Sequence, residues 1–173
     1  FFKSGAFDFN EAIMITVSDA SWANGTKYVL TDYDVKVFPR RSQYGRMHLL
    51  GEPKLWDDMT GYVHFIGFKS GLIKRTCRST LRAETHGMIY ATEASDNLRA
   101  VISSLRGLFQ RKDWEHEVAG QIKNLWLTDC QSLHDYLVNP IRAGTEDKRL
   151  EIDLDGLRES LWEYSDGTLK DDI

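Results

Sequence analysis

The sequence predicts an α/β domain, with a mixed sheet of three early antiparallel strands plus a later parallel strand and helices packed on it. Three observations predict it. Extended apolar runs crowd the first third of the chain, separated by turn residues rather than helices. Residues 80–108 then carry apolar positions at steps of three and four. One short apolar run, 124–129, follows, and two further helical segments come after it. Hairpin-linked strands, then a helical crossover, give a sheet that is antiparallel first and parallel later, with a right-handed crossover.

Residues 1–10 read as an extended lead-in, and 11–19 as the first strand. Residues 20–41 are turn-rich: Asn24-Gly25 is a hairpin signal, and Val35–Phe38 offers a short extended piece. Arg46–Leu50 reads as the second strand, ended by Gly51-Glu52-Pro53, with a loop over 54–60. Gly61–Phe68 is rich in β-branched and aromatic residues and makes the third strand, with an extended continuation over Leu72–Cys77. Ser79 or Thr80 caps a helix that runs to Leu108. Its inward stripe is Glu84, Met88, Ala91, Ser95, Leu98, Ile102 and Leu105. Gln110–Lys123 reads as a polar connector. A strand over 124–129 and a helix over 131–138 follow, the helix stopped by Asn139-Pro140. Arg142–Glu146 is a loop, and the last helix, 147–163, has the stripe Leu150, Leu154, Leu157, Leu161.

The 173 residues fit one domain with a real core, and 42% apolar content marks a globular chain. No apolar run approaches the roughly 20 residues of a membrane span. No signal peptide is visible, and the missing initiator Met suggests a piece of a longer polypeptide. Cys77 and Cys130 make neither a metal spacing nor a disulfide framework, so the expected setting is reducing and intracellular, with the cytoplasm as the expected location. The net charge of −4 is unlike that of a general nucleic-acid binder. Lys69, Lys74, Arg75, Arg78 and Arg82, however, form a basic run with no acid among them, leading straight into the long helix. A solvated surface explains such a run in most proteins. Here its position points to phosphate contact, with Lys74, Arg75 and Arg78 as the candidates.

Three carboxylates stand where a carboxylate is costly without a cation. Alternation puts Asp19 on the face of Ile13, Ile15 and Val17, and Asp129 on that of Leu125 and Leu127. Glu84 heads the helical stripe. All three are expected to lean toward one interior, where unpaired like charges are unfavourable and divalent cations relieve them. An oxygen-only donor set without a His or Cys cluster suits Mg²⁺ or Mn²⁺ rather than zinc. The bland reading is an accidental alignment of surface acids. His48, His64, His86, His116 and His134 have no usable spacing, and Met14, Met47, Met59, Met88, Trp22, Trp126 and Trp162 read as packing.

Ser18-Asp19-Ala20-Ser21-Trp22-Ala23 resembles the first motif of the ribonuclease H domain in copia-type LTR retrotransposon Pol polyproteins. Gly61-Tyr62-Val63, Lys69-Ser70 and Ser79-Thr80-Leu81-Arg82-Ala83-Glu84 are similar to that family's strand and helix start. Thr128-Asp129-Cys130-Gln131-Ser132-Leu133 resembles its aspartate-asparagine-glutamine-serine motif, with Cys130 in the asparagine's place, and Lys148–Asp153 resembles the basic helix that follows. The likeness spans residues 13–160. It implies a ribonuclease H-like fold and a two-metal endonuclease that hydrolyses the RNA strand of RNA–DNA hybrids, working beside a reverse transcriptase domain of the same polyprotein, in the cytoplasm or in a virus-like particle within it. Two Mg²⁺ or Mn²⁺ ions about 4 Å apart would activate water and stabilise the leaving oxygen. Asp19 would bridge them, and Glu84 and Asp129 would each complete one shell. Gln131 and Ser132 would donate to 2′-hydroxyls in the hybrid's minor groove.

The family's fourth carboxylate follows a fifth strand, and no such motif occurs before Ile173. The chain is therefore expected to lack the final strand and helix and to be weakly active or inactive. Asp153 is a poor substitute, because its segment resembles the preceding helix. A degenerate, non-catalytic module packing against a reverse transcriptase is the alternative. A transposase or integrase is disfavoured, because the acids run aspartate, glutamate, aspartate along the chain.

Overall fold

The structure is a computed structural model that describes residues 8–30, 35–112, 114–139 and 145–161, with 24–30, 35–40 and 115–116 described as backbone only. Its elements are β1 (Ile13–Leu30), β2 (Val35–Gly51), α1 (Leu55–Asp58), β3 (Val63–Leu72), α2 (Thr80–Leu105), α3 (Trp114–Gln121), β4 (Asn124–Leu127), α4 (Gln131–Val138) and α5 (Lys148–Leu161). The strands form one sheet in the order β3-β2-β1-β4. β1 pairs antiparallel with β2, β2 antiparallel with β3, and β1 parallel with β4. The expected α/β class, with three antiparallel strands, one parallel strand and flanking helices, is what the chain adopts.

Alternation along β1 divides the core. Met14 packs with Leu50, Ile102 and Ile122 on the α2 side. Ile13 and Ile15 pack with Leu125 and Leu55 on the opposite side, where Val17, Leu49 and Trp56 join them. A third cluster ties Met88 of α2 and Trp126 of β4 to Leu133 and Leu137 of α4 and to all four leucines of the α5 stripe. Burying such side chains is worth about 2 kcal/mol each, which fixes α4 and α5 beside the strand that precedes Asp129. Among the described residues, no helix is long and apolar enough to cross a membrane.

Several local expectations are corrected. β1 and β2 extend through the stretch read as turn-rich, and Asn24-Gly25 is not a hairpin turn. The register shifts between Ser21 and Gly25 and again between Gly25 and Lys27, so the glycine marks a bulge within a long strand pair. The 54–60 loop contains the one-turn α1, β3 stops at Leu72, and the 110–123 connector contains α3. Leu105 is exposed rather than part of the buried stripe, because α2 ends just beyond Ile102, where Gly107 turns the chain at φ 73°. Met59 is exposed and sits at φ 54° after α1, so it does not pack. Trp126 is buried as expected, Trp22 is exposed, and Trp162 lies outside the described residues.

Candidate metal centre

Each of the three acids is delivered by a different element. Asp19 lies on β1 and is paired in register with Gly45. Asp129 lies two residues past β4, the parallel neighbour of β1, and Asp19 lies two residues past Val17, so both aspartates follow the last parallel pair, Val17 with Leu127. A tight turn holds Asp129 there: the Cys130 N–H donates to Thr128 Oγ1 at 3.2 Å, and Cys130 then caps α4. Glu84 arrives from the start of α2. Ser79 caps that helix, its hydroxyl accepting from the Arg82 N–H at 3.2 Å.

Gly87 sets how closely α2 approaches β1. A Cβ at that position would lie 3.2 Å from Ser18 Oγ, 3.3 Å from Ala20 Cβ and 3.6 Å from the Asp19 carbonyl oxygen. A bare glycine lets the helix rest on residues 18–20, and the Glu84 carboxylate accepts a hydrogen bond from the Ala20 N–H.

One oxygen from each of Asp19, Glu84 and Asp129 lies within 4.8 Å of the others. The expected convergence is therefore present, although its setting differs from the expectation. Only Glu84 is buried, at 4% exposure, while Asp19 and Asp129 are exposed. The strand face that carries Ile13, Ile15 and Val17 packs away from α2, so the two aspartates leave the interior just past the β1–β4 pairing, and Glu84 reaches them from α2. Burial first, then the charges of Asp19 and Asp129, push the Glu84 pKa up to about 7.

Glu84 Oε2 is buried without a hydrogen-bond partner. Among the described residues, no cationic side chain pairs with any of the three acids. An orphaned buried oxygen beside two exposed carboxylates, with only oxygen donors, fits a hard divalent cation that keeps some of its water.

The candidate substrate residues separate into groups. Arg75 and Arg78 line a groove of about 1320 Å³ between the β3–α2 linker and the start of α5. Lys74 is exposed beside it, and its carbonyl accepts from Arg41 at 3.4 Å. Gln131 and Ser132 are exposed in the first turn of α4, next to Asp129. The Gln131 amide donates to Asp135, and Ser132 Oγ lies 3.3 Å from Cys130 Sγ. Asp153 does not join the acidic group: Arg75 contacts both its oxygens at 3.2 Å, and His86 Nε2 lies 3.9 Å from it. The groove also contains Arg82, Lys148 and Arg149, together with the acids Glu146, Asp147 and Asp153. Lys148 and Arg149 lie far along the chain from the basic run, so charge clustering in sequence could not have joined them to it.

No family model, curated protein or solved structure matches the chain. Fold and site together define a class: an α/β domain whose acidic cluster, just past the last pair of two parallel-paired strands and at the start of a helix, could hold a metal ion.

Proposed function

We propose that the protein is a ribonuclease H-like endonuclease that hydrolyses the RNA strand of RNA–DNA hybrids, and that it belongs to a copia-type retrotransposon polyprotein. The observation that carries this reading is the Asp19–Glu84–Asp129 cluster, with the Glu84 oxygen buried and unpartnered. The four motifs that resemble the family supply these same three residues. The sheet, three strands antiparallel and one parallel with flanking helices, is compatible with the frame of such a nuclease.

Asp19, Glu84 and Asp129 would hold two Mg²⁺ or Mn²⁺ ions. Bound there, the ions would supply a polarised water and charge neutralisation for in-line displacement at a phosphodiester. The chain's own residues orient and bind. The Ala20 N–H fixes the Glu84 carboxylate, and the Thr128–Cys130 turn fixes Asp129. Five cations and three acids line the groove beside the start of the helix that carries Glu84; Arg75 and Arg82 are paired with Asp153 and Asp147, which leaves Arg78, Lys148 and Arg149 as the cations for a phosphate backbone. Gln131 and Ser132 are placed to meet sugar hydroxyls next to Asp129.

Among the described residues, no fourth carboxylate joins the cluster, and Asp153 is held by Arg75. That observation favours the second reading, a fold-only module that packs against a reverse transcriptase. Incubating a labelled hybrid with the protein in magnesium separates the two. Cleavage, reduced at least about a hundredfold by Asp129→Asn with an unchanged circular dichroism spectrum, is expected for the nuclease. Binding without cleavage supports the module, and cleavage that survives Asp129→Asn overturns the metal assignment.

A further inference from the structure

Trp22 is 46% exposed, although its sequence context reads as packing. Its ring is nonetheless fixed. The indole N–H donates to the Cys77 carbonyl oxygen at 3.1 Å. The backbone beside it is held as firmly: Ala23 sits at φ 57°, a left-handed conformation that non-glycine residues disfavour, and its N–H donates to Ser42 Oγ at 3.3 Å. The register shift between Ser21 and Gly25 falls at this same point, and bulges beside active sites commonly re-aim a side chain.

The location gives that exposure a use. Trp22 lies three residues beyond Asp19, roughly 10 Å along the strand. Its anchor, Cys77, sits in the linker between Arg75 and Arg78, which line the basic groove. The ring therefore bridges the strand that carries Asp19 and the linker that carries the groove-lining Arg75 and Arg78. A fixed, half-exposed aromatic surface tied to the strand of the acidic cluster and to the rim of a groove in which cations outnumber acids suits the apolar face of a nucleoside unit, whose phosphates Arg78, Lys148 and Arg149 would take.

We propose that Trp22 is a substrate-contact residue: its indole is the platform against which a nucleoside of the bound strand packs, holding the backbone between the groove and the acids. This rests on the nuclease reading above. In steady-state hybrid cleavage, Trp22→Ala should raise KM about tenfold with kcat changed less than threefold, and Trp22→Phe, which keeps a ring, should restore KM to within about threefold of the parent. In an Asp129→Asn background, adding hybrid should quench intrinsic fluorescence, and adding Trp22→Phe should remove part of that quench.

Phenylalanine and alanine both lose the hydrogen bond to Cys77. Equal impairment of the two variants would assign Trp22 to holding the linker and overturn the platform. An unchanged KM in Trp22→Ala would overturn it as well. A parent chain that neither binds nor cleaves hybrid overturns the nuclease reading itself, and this inference with it.

Discussion

Two acidic groups flank the start of α2, and they are balanced in opposite ways. Asp147 and Asp153, at and within α5, are neutralised by the protein. Asp147 pairs with the buried Arg82 and accepts the N–H groups of Arg149 and Leu150 at 3.1 and 3.3 Å. Asp153 is held by Arg75 and faces His86. Asp19, Glu84 and Asp129 have no cationic partner among the described residues, and the charges of Asp19 and Asp129 add to the cost of ionising the buried Glu84. Internal compensation is what a structural acid shows: it caps a helix and docks it. Missing compensation, where one oxygen is buried and orphaned, leaves a requirement for charge from outside the chain. The difference explains why Asp153 is not a metal ligand, although it is acidic and near in sequence to a basic, motif-bearing segment.

The two groups should give opposite responses to pH, and this is the largest effect expected in the metal-free protein. Glu84 holds its proton to about pH 7, against 4.5 for an ordinary glutamate. Between those values the native state binds more protons than the unfolded one, so stability is full below about 4.5 and declines as pH rises through about 7. The slope is at most about 1.4 kcal/mol per pH unit. Urea titrations at pH 5, 6 and 7 should show that decline, and Glu84→Gln should flatten it. A stability that rises over the same range would reverse the assignment. Burial works against the ionised form of Asp147, but the N–H groups of Leu150 and Arg149 and the Arg82 guanidinium hold its pKa below 3.8. Its contribution is present above that value and is lost only as pH falls further. A smaller effect sharpens the contrast. Asp147→Ala removes the α5 cap and the Arg82 partner and should lower the thermal midpoint by about 3 °C or more, with or without magnesium. A midpoint that fell only in magnesium would place Asp147 in the metal site instead.

Much of this arrangement was legible in the sequence where one periodicity dominated. The α5 stripe of Leu150, Leu154, Leu157 and Leu161 is buried throughout, and Ser79 caps α2 as its position before a periodic run implies. The three carboxylates were identifiable because each extends an apolar pattern. Their setting was not, since alternation along β1 shows which residues share a face but not which face the helix covers. Asn24-Gly25 carries the signal of a turn, yet pairing across β1 and β2 turned it into a bulge. The exposure of Trp22 follows from that bulge and from the Cys77 hydrogen bond, both products of long-range pairing that local composition cannot encode. The groove was half visible: Arg75 and Arg78 stood in a basic run, while Lys148 and Arg149 reach it only through the docking of α5 on α2.

The central claim is that Asp19, Glu84 and Asp129 together take a divalent cation, and thermal unfolding across a magnesium or manganese titration tests it most directly. The parent midpoint should climb with metal concentration, reaching a stabilisation of about 2.7 kcal/mol at a hundred times the dissociation constant. Asp19→Asn should lose that climb while its metal-free midpoint stays at or above the parent's, because it relieves a like-charge contact. Parallel titration curves for the two chains would contradict the claim.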